Sequence, residues 1–349
     1  MNSIYLWIIF SSSIIIITAI VLMCVFLIPS KKSPPPAPPA PPAPPAPAPH
    51  FKKVIYAGYW LDDTTIEQTV KDWEDAGVTH VLLVFVVYND TYGLSINRST
   101  IDAFFKLKQQ NQDILLKNKN FVVGVSVGGA NFGQNTIPFS NIFTSGFYKE
   151  NNGAARFAQD LVTITGTKFM YYDLDFEHID DKFSQSADFI GNICKELRHI
   201  NQNFIISHAP QTPYFCSQYG NVYNIVYKNY SQYFNWFNIQ YYNNGPSQTF
   251  EEIFIKSQTQ PGSAVMELIQ SGMDTSYLVV GKTVNGKEAT ADSFVPLQPE
   301  LLQMINKAFG DNRLSQWKNS GGVMIWFYDL QDISSEDDKS LMDFFQKIN

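Results

Sequence analysis

Short apolar runs alternate with helix-compatible segments from residue 51 to the end of the chain. The apolar runs cover residues 54–60, 80–88, 121–129, 168–177, 203–211, 236–243, 277–284 and 321–326. The helix-compatible segments between them include residues 65–76, 101–116, 154–163, 184–199 and 301–309, and Ser99 or Thr100 is a plausible N-cap for the second of these. Eight strand–helix alternations predict a (β/α)8 TIM barrel, an α/β fold of ~250 residues or more that commonly forms one domain.

A doubly wound open sheet would alternate in the same way. Dinucleotide-binding proteins of that class carry a G-x-G-x-x-G turn after the first strand, and no such motif follows the first apolar run here. The barrel is therefore the favoured architecture for residues 51–349.

The first 29 residues have the pattern of a membrane anchor. Residues 4–28 carry no charged side chain, and a helix of ~1.5 Å rise per residue over this length crosses a hydrocarbon layer of ~30 Å. Tyr5 and Trp7 near one end, and Lys31 and Lys32 beyond the other, are typical of interfacial anchors. The alternative is a cleaved secretory signal, but the segment lacks a positive start, is longer than a usual apolar signal core and has no A-x-A-like site.

Residues 30–50 are dominated by proline and alanine. This composition forms extended polyproline II at ~3.1 Å per residue, so it predicts a semi-rigid stalk between the anchor and the barrel.

The globular part is acidic and rich in aromatic residues. The chain of 349 residues is 45% hydrophobic with a formal net charge of −7, and its first fifty residues contain lysines but no acids. An acidic body argues against nucleic acid as a partner. A neutral or weakly polar ligand fits better, and 18 Tyr, 27 Phe and 6 Trp can supply flat apolar surfaces for sugar rings.

Cysteine and histidine usage argues against a disulfide framework and a metal centre. Of Cys24, Cys194 and Cys216, the first lies in the apolar N-terminal run, which leaves one possible pair. The five histidines show no H-x-x-x-H spacing. We expect no cofactor and no bound metal.

The fourth apolar run ends with acids at alternate positions. Because side chains alternate along a strand, Asp173, Asp175 and Glu177 share one face, and Tyr172, Leu174 and Phe176 share the other. In a barrel these acids would lie at successive inward positions along the strand toward its C-terminal end, where active sites of this fold lie. A solvent-facing acidic edge strand and a divalent metal site are the alternatives, but buried acids in an apolar run favour a catalytic site.

Further motifs accompany these acids in chain order. They are S-V-G-G (residues 126–129), D-L-D-F-E (173–177), A-P-Q (209–211), Q-Y-Y-N-N (240–244) and G-G-V-M-I-W (321–326). Together they resemble the S-x-G-G, D-G-x-D-x-D-x-E, A-P-Q, Q-x-Y-N and last-strand tryptophan motifs of glycoside hydrolase family 18. The motifs are most similar to those of plant class III and small bacterial chitinases, and they span nearly the whole of residues 54–330.

The resemblance implies a (β/α)8 barrel that hydrolyses β-1,4 linkages of chitin by a substrate-assisted retaining mechanism. Glu177 would be the catalytic acid and base. Asp175 would accept a hydrogen bond from the acetamido N–H of the substrate, and Asp173 would share the proton of Asp175. Tyr242 would donate its hydroxyl to the acetamido oxygen. The implied substrate-binding residues are Trp326, Asn243, Gln240, Gln211, Tyr59 and Trp60. Ser126, Gly128 and Gly129 have a mainly structural interpretation, since small residues let the backbone pass close to the fourth strand.

Two features qualify the resemblance. Met170 and Tyr171 stand where the family has its first Asp and its Gly, and an inward Tyr171 requires smaller neighbours or a local shift of the backbone. The connection after the seventh strand is too short for the extra α+β insertion of processive relatives. The prediction is an open groove and endo cleavage.

Alternative functions remain. A non-catalytic chitin-binding lectin could use the same barrel, although such proteins commonly lose the terminal Glu. An endo-β-N-acetylglucosaminidase acting on N-glycans would use the same acids, and the Q-Y-Y-N-N run favours the chitinase. The expected partners are chitin or N-acetylglucosamine oligomers and, through residues 1–29, a membrane; a monomer is expected.

The side of the membrane is ambiguous in the sequence. Lys31 and Lys32 favour a cytoplasmic barrel by the positive-inside rule. The implied substrate, and the sequons at Asn89, Asn97 and Asn229, favour the exterior. The prediction is a single-pass protein with an extracytoplasmic barrel.

Overall fold

The computed structural model describes residues 51–58, 61–96, 99–130, 139–179, 182–287, 289–327 and 335–348. These residues form one nine-stranded sheet. Its strands are β1 (Lys52–Ala57), β2 (His80–Asn89), β3 (Gly93–Ser95), β4 (Val122–Gly128), β5 (Tyr171–Asp175), β6 (Ile205–His208), β7 (Trp236–Gln240), β8 (Leu278–Thr283) and β9 (Gly322–Phe327).

The sheet closes into a parallel barrel of eight strands. β1 pairs in parallel with β9 on one side and with β2 on the other, and every pair from β2–β4 round to β8–β9 is also parallel. β3 stands outside the barrel as a short antiparallel partner of the end of β2. The predicted (β/α)8 architecture is confirmed, and the open doubly wound sheet is wrong because β1 has a partner on both sides.

Helices follow the strands as the alternation predicts. They are α1 (Ile66–Asp75), α2 (Thr100–Lys106), α3 (Gln109–Leu116), α4 (Asn141–Thr144), α5 (Gly153–Ile164), α6 (Phe183–Ile200), α7 (Val222–Tyr230), α8 (Val265–Gln270), α9 (Leu302–Gly310), α10 (Ser315–Ser320) and α11 (Ser335–Lys347). Single 3-10 turns cover Thr212–Phe215, Ser217–Tyr219, Ser231–Tyr233, Thr275–Tyr277 and Asn312–Leu314, and π turns cover Glu251–Ile255 and Leu297–Leu301.

The segment 101–116, which the sequence predicts as one helix, is two helices. Leu107 and Lys108 have extended backbone angles, with ψ of 149° and 148°, and so separate α2 from α3. The amide of Lys108 donates to the Asp63 carboxylate. The predicted N-cap is confirmed, because the Ser99 hydroxyl accepts from the amide of Asp102 at 3.2 Å.

Two apolar layers build the core. The larger lies between the strands and the helices and includes Tyr172, Leu174 and Phe176, as the alternation of the fourth run predicts. A smaller cluster fills the inside of the barrel, where Tyr56 and Tyr171 are almost fully buried. The acids of β5 therefore point into the barrel.

The connection from β8 to the turn at residue 297 is short. Its described residues, 284–287 and 289–296, contain no helix or strand. This matches the prediction that no α+β wall is inserted there.

None of the helices in the described ranges is long and apolar enough to cross a bilayer. The predicted anchor, residues 1–29, and stalk, residues 30–50, lie outside those ranges, and both remain predictions.

Candidate active site

Asp173, Asp175 and Glu177 form an acidic row that leads out of the barrel. Asp173 and Asp175 lie on β5 with almost no exposed surface, and Glu177 follows the end of the strand, half-buried at the C-terminal mouth. The sequence alternation that predicts this row is confirmed.

Asp173 is held by hydroxyl and amide donors from other strands. Its Oδ2 accepts from the hydroxyls of Tyr56 at 2.8 Å and Ser126 at 2.7 Å. Its Oδ1 accepts from Ser207 Oγ, and from Asn238 Nδ2 at 3.3 Å. Burial raises the pKa of Asp173, whereas these hydrogen bonds oppose the shift by stabilising the carboxylate. Ser126 thus contacts the acid directly, which exceeds its expected spacing role.

Tyr171 fills the barrel floor below Asp173. Its hydroxyl lies 2.9 Å from Ser207 Oγ, so it joins the same polar network. Gly124 on β4 provides the room: an ideal Cβ there would lie 2.6 Å from the Tyr171 ring. The sequence expectation that an inward Tyr171 needs a smaller neighbour is confirmed.

Gln240 on β7 joins the two outer acids. Its Nε2 donates to Asp175 Oδ1 at 2.8 Å and to Glu177 Oε1 at 3.3 Å, and also to the carbonyl of Ala209 at 2.8 Å. Burial, and the negative charges of Glu177 and Asp173, raise the pKa of Asp175 well above its usual range. The structure thus places these two acids around one amide nitrogen.

Glu177 has the environment of a proton donor. Gln211 Nε2 donates to its Oε2 at 2.8 Å. Burial raises the pKa of Glu177, and the Gln240 hydrogen bond and nearby His178 partly oppose this shift. A carboxyl group with a raised pKa can hold a proton nearer neutral pH and deliver it to a leaving oxygen.

Tyr242 and Asn243 follow the end of β7. Tyr242 is 6% exposed and packs in the cluster inside the barrel. Asn243 has a left-handed backbone with φ of 59°, and its Oδ1 accepts from the amide of Thr290 at 2.7 Å. The backbone N–H of Asn243 donates to Ser293 Oγ at 2.9 Å. The side-chain carbonyl of Asn243 therefore connects two loops at the mouth.

Trp326 near the end of β9 stacks on Phe85, with ring centres 5.5 Å apart and planes inclined by 20°. Strand alternation places Phe85 outward, so the sequence does not predict this contact. The register of β2 against β4 shifts between Leu83 and Val86, and the Val84–Phe85 peptide bond is cis. This local shift places Phe85 against the cluster inside the barrel.

The glycines of the S-V-G-G motif have the predicted structural role. A Cβ on Gly128, whose φ is 124°, would lie 1.9 Å from the carbonyl oxygen of Asp175. The amide of Gly129 donates to that same oxygen at 2.9 Å. A side chain at position 128 would push the Asp175 backbone out of place.

Tyr56, Ser207 and Asn238 of the Asp173 network are not among the residues predicted from the sequence. Each is a polar residue at an inward position of an otherwise apolar strand, and a polar residue at such a position is a sequence signal for a contact inside the barrel. Which strands meet Asp173 depends on barrel closure, however. Tyr59 and Trp60, which the sequence analysis places near the site, lie outside the described residues.

Within the described part of the chain, no group of three His, Cys, Asp or Glu side chains is arranged to hold a metal ion. The Asp173 carboxylate instead accepts from hydroxyls and an amide, and Asp175 accepts from Gln240. Protein hydrogen-bond donors therefore hold both carboxylates.

The backbone is similar to solved structures of glycoside hydrolase family 18. A fungal endo-β-N-acetylglucosaminidase of that family has a TM-score of 0.62 at 17% identity, with 85% of this chain and 97% of that chain covered. The catalytic domain of a family 18 chitinase from the fern Peteris ryukyuensis has a TM-score of 0.57 at 18% identity, with 84% and 100% covered. The C-terminal domain of ChiA from Legionella pneumophila also has a TM-score of 0.57, at 19% identity, with 84% and 96% covered.

The similarity at these identities shows a shared fold, a (β/α)8 barrel of the kind found in the two family 18 glycoside hydrolases. No protein-family model and no curated protein matches the sequence.

Proposed function

We propose that this chain is a family 18 glycoside hydrolase, a chitinase that cleaves β-1,4 linkages between N-acetylglucosamine units. The observation that carries the proposal is the Gln240 amide, which joins Asp175 and Glu177 at the mouth of the barrel. Active sites of this fold lie at that end. The structures that share the fold include chitinases and an endo-β-N-acetylglucosaminidase, which supports a glycosidase.

Glu177 acts first as acid and then as base. Its raised pKa keeps a proton available for the glycosidic oxygen that leaves. Once the leaving sugar has departed, the Glu177 carboxylate takes a proton from water, which attacks the anomeric carbon. Gln211 and Gln240 hold its two oxygens and so restrict the direction of transfer.

Asp175 is not the nucleophile and instead stabilises the acetamido group of the substrate. The acetamido oxygen of the substrate sugar attacks its own anomeric carbon, which forms an oxazolinium ring and breaks the glycosidic bond. The Asp175 carboxyl accepts from the acetamido N–H and stabilises the positive charge that develops. Asp173 acts through its negative charge, which raises the pKa of Asp175, because its own oxygens already accept from four donors of the protein.

Tyr242 and Trp326 shape the position of that sugar. Tyr242 donates its hydroxyl to the acetamido oxygen and orients it for attack, whereas the Trp326 ring, braced by Phe85, supports the sugar face. Sugar rings present apolar C–H faces that pack well on aromatic rings. The short connection after β8 leaves the groove without an inserted wall, which favours endo cleavage of a polymer.

An endo-β-N-acetylglucosaminidase is the second candidate, because one enzyme of that activity superposes with a TM-score of 0.62. The deciding experiment incubates the purified full-length protein with chitin oligomers and, separately, with a high-mannose glycoprotein. Glu177→Gln is the control for each substrate. Release of shorter N-acetylglucosamine oligomers supports the chitinase, whereas release of glycans alone supports the second candidate. A protein that binds chitin but releases nothing from either substrate would be a lectin.

We also propose that residues 1–29 anchor the protein in a membrane with the barrel outside the cytoplasm. The uncharged run of residues 4–28 supports the anchor, and the sequons support the orientation. Protease digestion of intact cells tests the orientation, and washing of the membranes at alkaline pH tests the anchor. If the barrel resists protease added outside the cells until the membrane is permeabilised, the barrel is cytoplasmic and the proposed orientation is overturned. If washing at alkaline pH releases the barrel from the membrane, the proposed anchor is overturned.

A further inference from the structure

Lys282 is a fully buried lysine beneath the loops at the mouth of the barrel. Side chains alternate along β8, so Val280 and Lys282 share the face that points away from the barrel interior. Val280 belongs to the apolar layer on that face, whereas Lys282 brings an amine into it. Burying a cation is costly unless it is fully hydrogen-bonded, so this lysine calls for a structural or functional reason.

The amine of Lys282 is bonded to backbone carbonyls only. Nζ donates to the carbonyl oxygens of Tyr241 at 2.6 Å, Ser247 at 2.9 Å and Ser293 at 2.7 Å. An ammonium group has three donors, so this arrangement uses all of them.

Carboxylates in the adjoining loops bond elsewhere. Asp292 accepts from Thr290 Oγ1, and Glu267 accepts from the amides of Ser257 and Ala264. Burial lowers the pKa of Lys282 to about 7. Lys282 therefore acts as a hydrogen-bond donor to loop backbone rather than as a member of an ion pair.

The carbonyls that Lys282 binds belong to the two loops around Tyr242. The Tyr241 carbonyl is part of the peptide bond that joins Tyr241 to Tyr242, and Ser247 lies further along the same loop after β7. Ser293 lies in the loop after β8. Asn243 links the same two loops, because its backbone N–H donates to Ser293 Oγ and its Oδ1 accepts from the amide of Thr290.

We propose that Lys282 is a positioning residue for Tyr242: by holding the Tyr241–Tyr242 peptide and the loop after β8, it aims the Tyr242 hydroxyl at the substrate. The inference rests on the proposed function and deepens it. A displacement of ~1 Å in a catalytic group can cost ~10²-fold in rate, so a backbone clamp one residue from Tyr242 matters for turnover.

The first experiment is a double-mutant cycle in the full-length protein with a chitin oligosaccharide. Lys282→Met removes the donors, and Tyr242→Phe removes the hydroxyl that the donors would position. We expect Lys282→Met to lower kcat ~10-fold or more with KM changed less than ~3-fold, and to lower kcat by less than ~3-fold when Tyr242 is already Phe. Equal fold-losses in both backgrounds would overturn the positioning role.

Lys52 provides a matched control at the opposite end of the barrel. It is a buried lysine whose Nζ donates to the carbonyls of Ser276 at 3.0 Å and Ser320 at 2.8 Å. Lys52→Met should lower stability while leaving kcat of the folded protein within ~2-fold of wild type. A kcat loss in Lys52→Met equal to that in Lys282→Met would show that any buried lysine has this effect and would overturn the proposal.

A second readout does not depend on turnover. Hydrogen exchange of peptides covering residues 241–248 and 289–294 should accelerate in Lys282→Met but not in Lys52→Met. If Lys282→Met does not fold, Lys282→Gln replaces it. Unchanged exchange together with unchanged kcat would overturn the clamp while the chitinase assignment stands. Absence of wild-type hydrolysis would overturn the proposed function, and the exchange result would still decide whether Lys282 holds these loops.

Discussion

Tyr56 on β1 donates its hydroxyl to Asp173 on β5 across the interior of the barrel, at 2.8 Å. Tyr56 in turn accepts from Asn238 Nδ2 at 3.0 Å. The deepest acid of the site is thus held by strands distant in sequence, and its carboxylate is stabilised by donors although burial alone disfavours a charge.

Replacing Tyr56 by Phe should lower both stability and turnover. Hydrogen bonds to charged groups contribute ~1.5–3 kcal/mol, so the free energy of unfolding should fall by about that amount, measured by denaturant titration. Loss of one donor should also raise the pKa of Asp173 and lower kcat. Tyr148→Phe, which breaks a Tyr–Asp hydrogen bond of 3.0 Å to Asp160 on α5, should leave kcat unchanged. If Tyr56→Phe changes neither quantity, the network has no energetic role.

Replacing Glu177 by Gln should preserve fold and chitin binding but remove nearly all turnover. The amide is close in shape to the acid and has no proton to deliver, and general acid–base catalysis contributes ~10²–10⁴-fold. Initial rates and binding are measured on the same preparation. Glu196→Gln on α6 is the matched control and should retain full activity. A Glu177→Gln rate above about one tenth of wild type would eliminate this residue as the acid.

The raised pKa values of Asp175 and Glu177 predict a pH dependence with a definite sign. The folded state keeps protons that unfolded carboxyls release above pH ~4, so this contribution to stability is present at low pH and is lost as pH rises through the folded pKa values. The rate should fall over the same rise, because the acid loses its proton. Unfolding titrations and kcat/KM profiles of wild type and Asp175→Asn check this. An equal stability slope in the two proteins would contradict the pKa shift of Asp175.

Gly124→Ala should destabilise the fold by about 1–3 kcal/mol, because an added Cβ would overlap the Tyr171 ring and backbone. Gly310→Ala is the control, since a Cβ there meets nothing within 4 Å, and it should be neutral or stabilising by up to ~1 kcal/mol. Thermal unfolding of both variants provides the measurement. Equal stability of Gly124→Ala and wild type would mean that Tyr171 does not need the space.

Fully deacetylated glucosamine oligomers should resist cleavage. Substrate assistance needs an acetamido oxygen on the sugar at the cleaved bond, and without it no oxazolinium ring forms. The product from acetylated oligomers should be the β-anomer at first, as NMR can show, and a thiazoline mimic of the intermediate should inhibit competitively. Cleavage of the deacetylated oligomers at a rate comparable to chitin oligomers, or an initial α-product, would mean that another carboxylate is the nucleophile or base.

Much of the fold was readable from local pattern. Alternation on residues 171–177 correctly divided acids from apolar residues, because a strand has a side-chain period of two and each face meets a different environment. The predicted helix over 101–116 was wrong, because the break at Leu107 and Lys108 carries no proline or glycine to signal it. The inward position of Phe85 was also not predicted, because a local register shift in β2 interrupts the alternation of side chains along the strand.

The sequence by itself determined the strand–helix order, the inward direction of Asp173 and Asp175 and the small residues beside β5, since these follow from backbone geometry over a few neighbouring residues. Only the tertiary structure decided that Tyr56, Ser207 and Asn238 would surround Asp173, that Gln240 would join Asp175 to Glu177, and that Lys282 would bind the loop before Tyr242. Those contacts join positions 34 to 117 residues apart. They depend on barrel closure and strand register, which local periodicity does not encode.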